Sequence, residues 1–466
     1  MISNQKYDVV VGIEVHTELD VKTKIFCSCK KTYGEPVNTH VCPVCAGHPN
    51  QKPELNKKCL ELAIRAGLCV DSKINEISHF DRKNYFYQDL PKGYQVSQVD
   101  EPICLGGGIT LDSGKFVRIH QIHLEEDTGK VMGSLMDLNR CGVALIELVT
   151  EPDFCSGEEV VDFITKLRLA FIYAGVSACI MEQGEMRCDI NISVKKKGDK
   201  ELGVRTEVKN VSSFKAIVKV VDYEAERHIK LVEAGKKVVT QTLRWDESEN
   251  KTVAMRGKAG STHYRVFEDP DFPRIKVSAE VIEKIKESLP ILPKAWRERF
   301  LSLGLSLAEA NILIEERSHL PYFEECLKLG GNARQICSWL LNDGFKLKKE
   351  AGKVLFDVAP ASFVQIIKMV DDKKITRDNG VKLLREVYKT GSSPAELAKN
   401  MGLFDTVADN IIEDIIKELL KQNPQLKSDY TARPDRVEPF VVGQVMKRTQ
   451  GKAKSEDVKE IMKKYM

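Results

Sequence analysis

The run VALIELV, residues 143–149, constrains the fold of this chain more than any other feature. Apolar runs of this length read as strands buried on both faces, and a carboxylate within one is costly unless it is paired or bound to a metal. Glu147 sits inside it. The run belongs to a longer stretch, residues 117–153, that also holds His120, His123, Glu125, Glu126, Asp127, Asp137, Asn139, Arg140, Glu151 and Asp153. A solvated acidic face would spread its carboxylates at helical spacing, without buried apolar neighbours. Pattern alone leaves Glu147 two readings, a salt-bridged core glutamate and a metal-binding or catalytic group.

A second stretch bears on that choice. In VVVGIEVHTEL, residues 9–19, Ile13, Val15, Thr17 and Leu19 alternate with Glu14, His16 and Glu18. Alternate residues of a strand stand roughly 6.5–7 Å apart on one face, so Glu14 and His16 can reach one ion. Oxygen-rich ligation with a single imidazole suits Mg²⁺ or Mn²⁺ better than zinc. Taken in isolation, the stretch also reads as an ordinary exposed strand face.

At 466 residues the chain has material for two to four domains. Its Lys plus Arg count of 71 against 68 Asp plus Glu leaves a net charge of +3, so any RNA contact must come from local patches. No apolar run approaches the ~18–20 residues of a membrane span, and the N-terminus has no signal-peptide architecture. The expectation is a cytoplasmic protein without membrane contact. Its thirteen cysteines, an odd number in a large chain, are then reduced thiols. Cys27 and Cys29 form a CxC pair, and Cys42 and Cys45 a CxxC pair, in a polar loop with little core of its own. Four thiolates in two knuckles suit a structural, tetrahedral zinc with no open coordination site. Four ordinary cysteines or a disulfide pair are the bland alternatives, and His40 and His48 are possible substitute ligands.

Further along, residues 53–67 read as a helix opened by Pro53 and stopped by Gly67. Arg82, Lys83 and Lys92 interleave with Tyr85, Phe86, Tyr87 and Tyr94. Such a mixture can hold phosphate and stack a base, or form a partly buried turn. The glycine-rich stretch 105–116 is not a Walker A loop, because Ile109 stands where the leading glycine belongs. Ser156 and Glu159 suggest a capping box before a core helix. Residues 186–210 suggest a hairpin, with Arg187, Asp189, Asn191 and Ser193 opposite an apolar face, and Val204, Thr206 and Val208 inward on the return strand. Its polar face, which includes Lys209, reads either as a solvated surface or as a platform for anionic substrate groups. A long helix follows Ser212–Ser213, then a further hairpin over 238–256 and an ordered proline loop over 262–274. Pro290 and Pro293 mark a boundary beyond which the pattern is helical throughout. From residue 421 onward eleven Lys/Arg face six Asp/Glu. Lys447, Arg448 and Lys452 there are either a solvated face or phosphate contacts.

Several long motifs resemble one family. GIEVH at 12–16, FDRKNYFYQDLPKGYQVSQ at 80–98, IHLEEDTGK at 122–130, DLNRCGVALIELVTEPD at 137–153, MEQGEMRCDINISV at 181–194 and EVKNVSSF at 207–214 are similar to the B subunit of aspartyl/glutamyl-tRNA(Asn/Gln) amidotransferases. The chain departs from the family pattern at Val266, Glu268 and within 178–185. The resemblance implies an α+β chain: an antiparallel-sheet-rich N-terminal catalytic (cradle) domain over 1–293, a helical connector over 294–405 and a small helical tRNA-binding tail over 406–466. It also implies a carbon–nitrogen ligase that phosphorylates the side chain of misacylated Glu-tRNA(Gln) or Asp-tRNA(Asn) with ATP and amidates it. The ammonia would come from a partner amidase (glutaminase) of the same complex, with a small third protein holding the pair together. On this reading Glu14, His16, Glu126 and Glu147 bind Mg²⁺, with Glu125 the alternative to Glu126, and His16, Glu126 and Glu147 serve catalysis. Arg82, Lys83, Tyr85, Tyr87, Lys92, Arg187 and Lys209 contact phosphate or the acceptor end, and Glu125 and Asp127 are candidates to line an ammonia path. The rivals are a zinc-containing tRNA-binding protein without catalysis and a stand-alone metal-dependent hydrolase.

Overall fold

The computed structural model describes residues 6–85, 87–211, 213–255, 265–404, 409–449, 453 and 455–466. It forms two compact units, Met1–Pro293 and Lys294–Met466. Among the described residues, the first unit is built on a ten-stranded sheet. From one edge its strands run Lys251–Ala254, Thr242–Asp246, Thr206–Val211, Met186–Lys196, Tyr7–Glu18, Ala144–Thr150, Phe116–Glu126, Cys104–Leu105 and Lys73–Ile74, with Gly108–Thr110 also paired to Phe116–Glu126. VALIELV thus lies next to the central strand, flanked on both sides. The sheet is mixed rather than antiparallel throughout, because Thr206–Val211 and Thr242–Asp246 run parallel. Parallel neighbours need a long crossover, and the helix Phe214–Glu233 lies in the segment between them.

Alternation along the four central strands sorts their side chains. Val11, Ile13 and Val15, then Ile146 and Leu148, Ile122 and Leu124, and Ile190 and Ile192 join one apolar core with the helices Lys57–Cys69, Gly157–Tyr173 and Phe214–Glu233. The residues between them carry the acids, histidines and arginines. This opposite face is not solvated, since Asp189 and Ser193 are buried along with His123, Glu125 and Glu147.

Helix boundaries moved where a side chain decided the cap. The first helix starts at Lys57, because Asn56 accepts from the Lys58 amide, and it continues past Gly67 to Cys69. Gly67 is there for space: a Cβ on it would stand 2.5 Å from Cys104 Sγ. Ser156 caps the Glu159 amide, but Glu159 turns its carboxylate to the Cys155 amide and Lys115, so the reciprocal half of the box is missing. The return strand begins at Thr206, leaving Val204 exposed. Of the expected loop, residues 262–264 lie outside the described residues, and Arg265–Glu268 forms a strand paired with Asp81–Asn84 that incorporates Val266 and Glu268. Asp81–Asn84 pairs in turn with Tyr94–Ser97.

Beneath the sheet edge, Glu224 accepts from Thr206 Oγ1 at 3.0 Å, Thr252 Oγ1 at 2.6 Å and Arg227 Nε at 2.9 Å, tying the long helix to two strands. Burial opposes its charge, yet hydrogen bonds from His228, Arg227 and Thr252 hold its carboxyl down at about 2. A depressed carboxyl stabilises the fold above its unfolded pKa and loses that contribution as pH falls toward the folded value. Wild-type stability is therefore expected to fall between about pH 4.5 and 2. Glu224→Gln should show a shallower slope in that window by chemical denaturation, and identical slopes would refute the assignment.

The second unit is helical among its described residues. The helices Asp409–Gln422, Leu426–Ala432, Pro434–Arg448 and Ser455–Lys463 share a small core of Ile412, Ile416, Leu419, Val441, Val445, Val458 and Met462.

Candidate active site

Strand register aligns the polar face into rows. His16 pairs with Glu147 on one side and Arg187 on the other, and Glu147 pairs with His123. Glu14 pairs with Asp189 in the adjacent row. His16 Nε2 stands 3.4 Å from Glu125 Oε1 and 3.7 Å from Glu147 Oε2. His123 Nε2 lies 3.1 Å from Glu147 Oε2. One ligand atom from each of His16, Glu125 and Glu147 falls within 4.8 Å of the others, a spacing that could hold a metal ion. A second such group joins Glu14, Asp189 and Glu207.

The environment makes these acids resist ionising together. Burial and the nearby Glu147 push Glu125 up to about 8 and Glu14 up to about 7. Burial also lowers the basicity of His16, whose Nδ1 is buried without a hydrogen-bond partner. Against burial, Glu147 keeps its charge through His123 and is held below the ordinary carboxylate range. A divalent cation between His16 Nε2 and the carboxylates of Glu125 and Glu147 would relieve the repulsion between the acids, so the donor set fits one.

Glu126 is placed differently from the expectation. Neighbouring strand residues point to opposite faces, and Glu125 turns to His16 while Glu126 turns away. Glu126 pairs with Lys92 and accepts from the Val96 amide at 2.9 Å. It lines a cavity of ≈ 450 Å³ with Lys92, Arg82, Tyr94, Cys27, Cys45 and Asp269. The geometry therefore replaces Glu126 by Glu125 in the set around His16.

The same parity divides the basic residues. Arg82 binds Asp269 at 2.8 Å and Asp271 at 2.7 Å on the cavity side, whereas Lys83 Nζ lies 3.8 Å from Glu125 Oε2. Arg187 binds Asp127 at 3.1 Å. Lys209 bridges Asp189 at 3.1 Å and Glu207 at 2.8 Å. Tyr85 donates to Gln95 Oε1 at 2.8 Å, and its ring meets that of Tyr87 edge-on. In the second unit, Lys447 is exposed, Arg448 Nη1 reaches Glu418 at 2.9 Å, and Lys452 lies outside the described residues.

The Sγ atoms of Cys27, Cys29, Cys42 and Cys45 also lie within 4.8 Å of one another and could bind a metal. The Cys42–Cys45 separation is 3.8 Å, the edge of a tetrahedron with metal–sulfur bonds of about 2.3 Å. A hydrogen bond from Cys27 lowers the Cys45 thiol to about 4, with help from Lys24. His40 and His48 are outside the set. Sequence reasoning passed over Lys24, which is fully buried with Nζ on His40 O, Leu138 O and Cys45 Sγ. It left His123 and Asp189 without roles too; their parity with Glu125 and Arg187 was the available signal.

The chain matches known proteins over most of its length. Residues 9–283 match the GatB/GatE catalytic domain and residues 321–466 the GatB domain. The chain is 42% identical to the B subunit of the aspartyl/glutamyl-tRNA(Asn/Gln) amidotransferase of Caldicellulosiruptor saccharolyticus, with 99% of both chains covered. The protein of that name from Clostridium tetani is 42% identical, with 98% of both covered. The chain thus belongs to the family of B subunits of aspartyl/glutamyl-tRNA(Asn/Gln) amidotransferases.

Proposed function

We propose that this chain is the synthetic subunit of a tRNA-dependent amidotransferase, a glutamine-dependent carbon–nitrogen ligase. It converts the side-chain carboxylate of Glu-tRNA(Gln), Asp-tRNA(Asn) or both into the amide at the expense of ATP. The observation that carries the reading is His16 Nε2 between the carboxylates of Glu125 and Glu147. A carboxylate is a poor electrophile, so phosphoryl transfer to it precedes displacement by ammonia. Bound Mg²⁺ would neutralise the charge on phosphoryl oxygens, held by His16, Glu125 and Glu147 with Glu14 beside them. Lys83, Arg187 and Lys209 line this face as cations for phosphate or acceptor-end oxygens. Lys92, Glu126 and Arg82 belong to the adjoining cavity. Zinc fits the four thiols as a structural ion.

Ammonia comes, on this reading, from a partner amidase (glutaminase), with a small third protein completing a cytoplasmic heterotrimer. Among the described residues no helix is long and apolar enough to cross a membrane. Co-purification with the amidase and the small third protein, followed by an ATP- and glutamine-dependent amidation assay on Glu-tRNA, tests the assignment; failure of the reconstituted complex to release ADP in a Glu-tRNA-dependent way would refute it.

Residues 294–405 serve as connector and 406–466 as the tRNA-binding tail in this scheme. The separate core of the tail and the exposed Lys447 support that division. Deleting 406–466 is expected to weaken tRNA affinity about tenfold or more and to flatten its salt dependence, with the partner's glutaminase activity spared. Filter binding across a salt series measures both, and unchanged affinity would remove the tail's role.

A further inference from the structure

Arg140 and Asp127 extend the site in a way the motifs do not announce. The Asp127 amide binds Val143 O at 2.8 Å and the Gly142 amide binds Asp127 O at 2.9 Å. These bonds fold the turn containing Arg140 back onto the end of the strand that bears Glu125. Arg140 Nε then reaches Asp127 Oδ2 at 2.5 Å. Arg187 takes the same carboxylate from the sheet side, with Nη2 on Oδ1 at 3.1 Å and Nη1 on Oδ2 at 3.4 Å. Asp127 is buried, whereas 35% of the Arg140 side chain is exposed.

Two guanidinium groups share one buried carboxylate, so Arg140 is a second cation on an acid that Arg187 already pairs. If neutralising Asp127 were the whole purpose, Arg187 with its two hydrogen bonds would suffice. A guanidinium has five N–H donors, and Arg140 meets Asp127 as an ion pair with Nε the nearest atom, its Nη groups making no hydrogen bond among the described residues. Its Nη donors remain for something outside the chain. Arg187 stands opposite His16 in the strand register and Asp127 follows Glu125 by two residues, which places the clamp beside the candidate metal ligands.

We propose that Arg140, positioned by Asp127 beside Arg187, binds the oxyanions of the phosphoryl group transferred from ATP. This rests on the phosphoryl-transfer reading of the His16 site. A phosphoryl group carries more negative charge than a carboxylate and accepts paired N–H donors from arginine in a geometry that lysine cannot copy.

The test uses the complete amidotransferase with its partner proteins. Arg140→Lys is expected to raise the KM for ATP about tenfold. Arg140→Ala should lower kcat/KM for ATP by about 100-fold, with the KM for Glu-tRNA held within about twofold. Added guanidinium at about millimolar concentration should restore part of the Arg140→Ala rate, a rescue that a purely structural arginine would not show. If Arg140→Ala does not assemble, Arg140→Lys decides alone. An unchanged KM for ATP in the lysine variant overturns the proposal. So does a loss confined to the KM for Glu-tRNA, which would move the bound anion to the aminoacyl carboxylate. The parallel variant His16→Ala separates the two claims. Lost ADP release there with wild-type ATP kinetics in the Arg140 variants sinks only this inference, whereas full ADP release in His16→Ala sinks the site reading as well.

Discussion

Replacing His16 with alanine is expected to lower ATP-dependent amide formation by roughly 10²- to 10³-fold, the scale on which one preorganised charge-stabilising contact counts. Glu147→Gln should fall as far. His16 stands between two carboxylates, one of which, Glu125, is hard to ionise at neutral pH when no cation is near. Removing the imidazole takes away a neutral donor; removing the Glu147 charge takes away the one acid of the row that ionises readily. Both changes weaken a divalent ion more than they weaken the fold, because the helix-side core is built from the residues of opposite parity. Aminoacyl-tRNA binding by the complex should therefore persist. Single-turnover amidation and filter binding on the same preparations make the comparison, and retained turnover in both variants would end the metal assignment.

Cys42→Ser and Cys45→Ser should each abolish zinc content and destabilise the first unit by more than about 4 kcal/mol, because losing a structural metal is among the few single changes with so large an effect. The segment between Cys27 and Cys45 contains almost no regular structure, and most of its residues are at least partly exposed. Its ordering depends on the four thiols, on Lys24, and on Asn38 and Asn139. Asn38 Nδ2 donates to Met136 O at 2.9 Å, and Asn139 Nδ2 donates to Pro36 O at 2.7 Å. Metal analysis should find about one zinc per wild-type chain. A zinc-loaded wild type that unfolds at the same denaturant midpoint as Cys42→Ser would refute the staple.

Strand periodicity made much of this legible. Alternation from Ile13 to Leu19 placed Glu14 and His16 on one face, and VALIELV correctly marked a strand buried on both faces. The motif spacing found four cysteines that the fold brings together. What the pattern left open were the choices that depend on the opposing surface. Glu125 and Glu126 are equivalent by composition, and only the pairing of their strand with Ala144–Thr150 shows which meets His16. The polar face of Met186–Lys196 looks solvated in sequence because Asp189 and Asn191 are polar, but Lys209 and Glu14 cover them. Lys24 was invisible because a buried lysine has no local signature; its partners are backbone carbonyls at positions 40 and 138.

The two adjacent glutamates also bear on how this segment tolerates change in length. They serve separate compartments divided by a single peptide unit, so one residue gained or lost upstream within the strand would exchange their destinations. The exposed hairpin from Lys130 to Asp137, just downstream, has no such obligation at its Gly133 turn. Length variation among related genes should accumulate in that hairpin and be purged from the strand Phe116–Glu126.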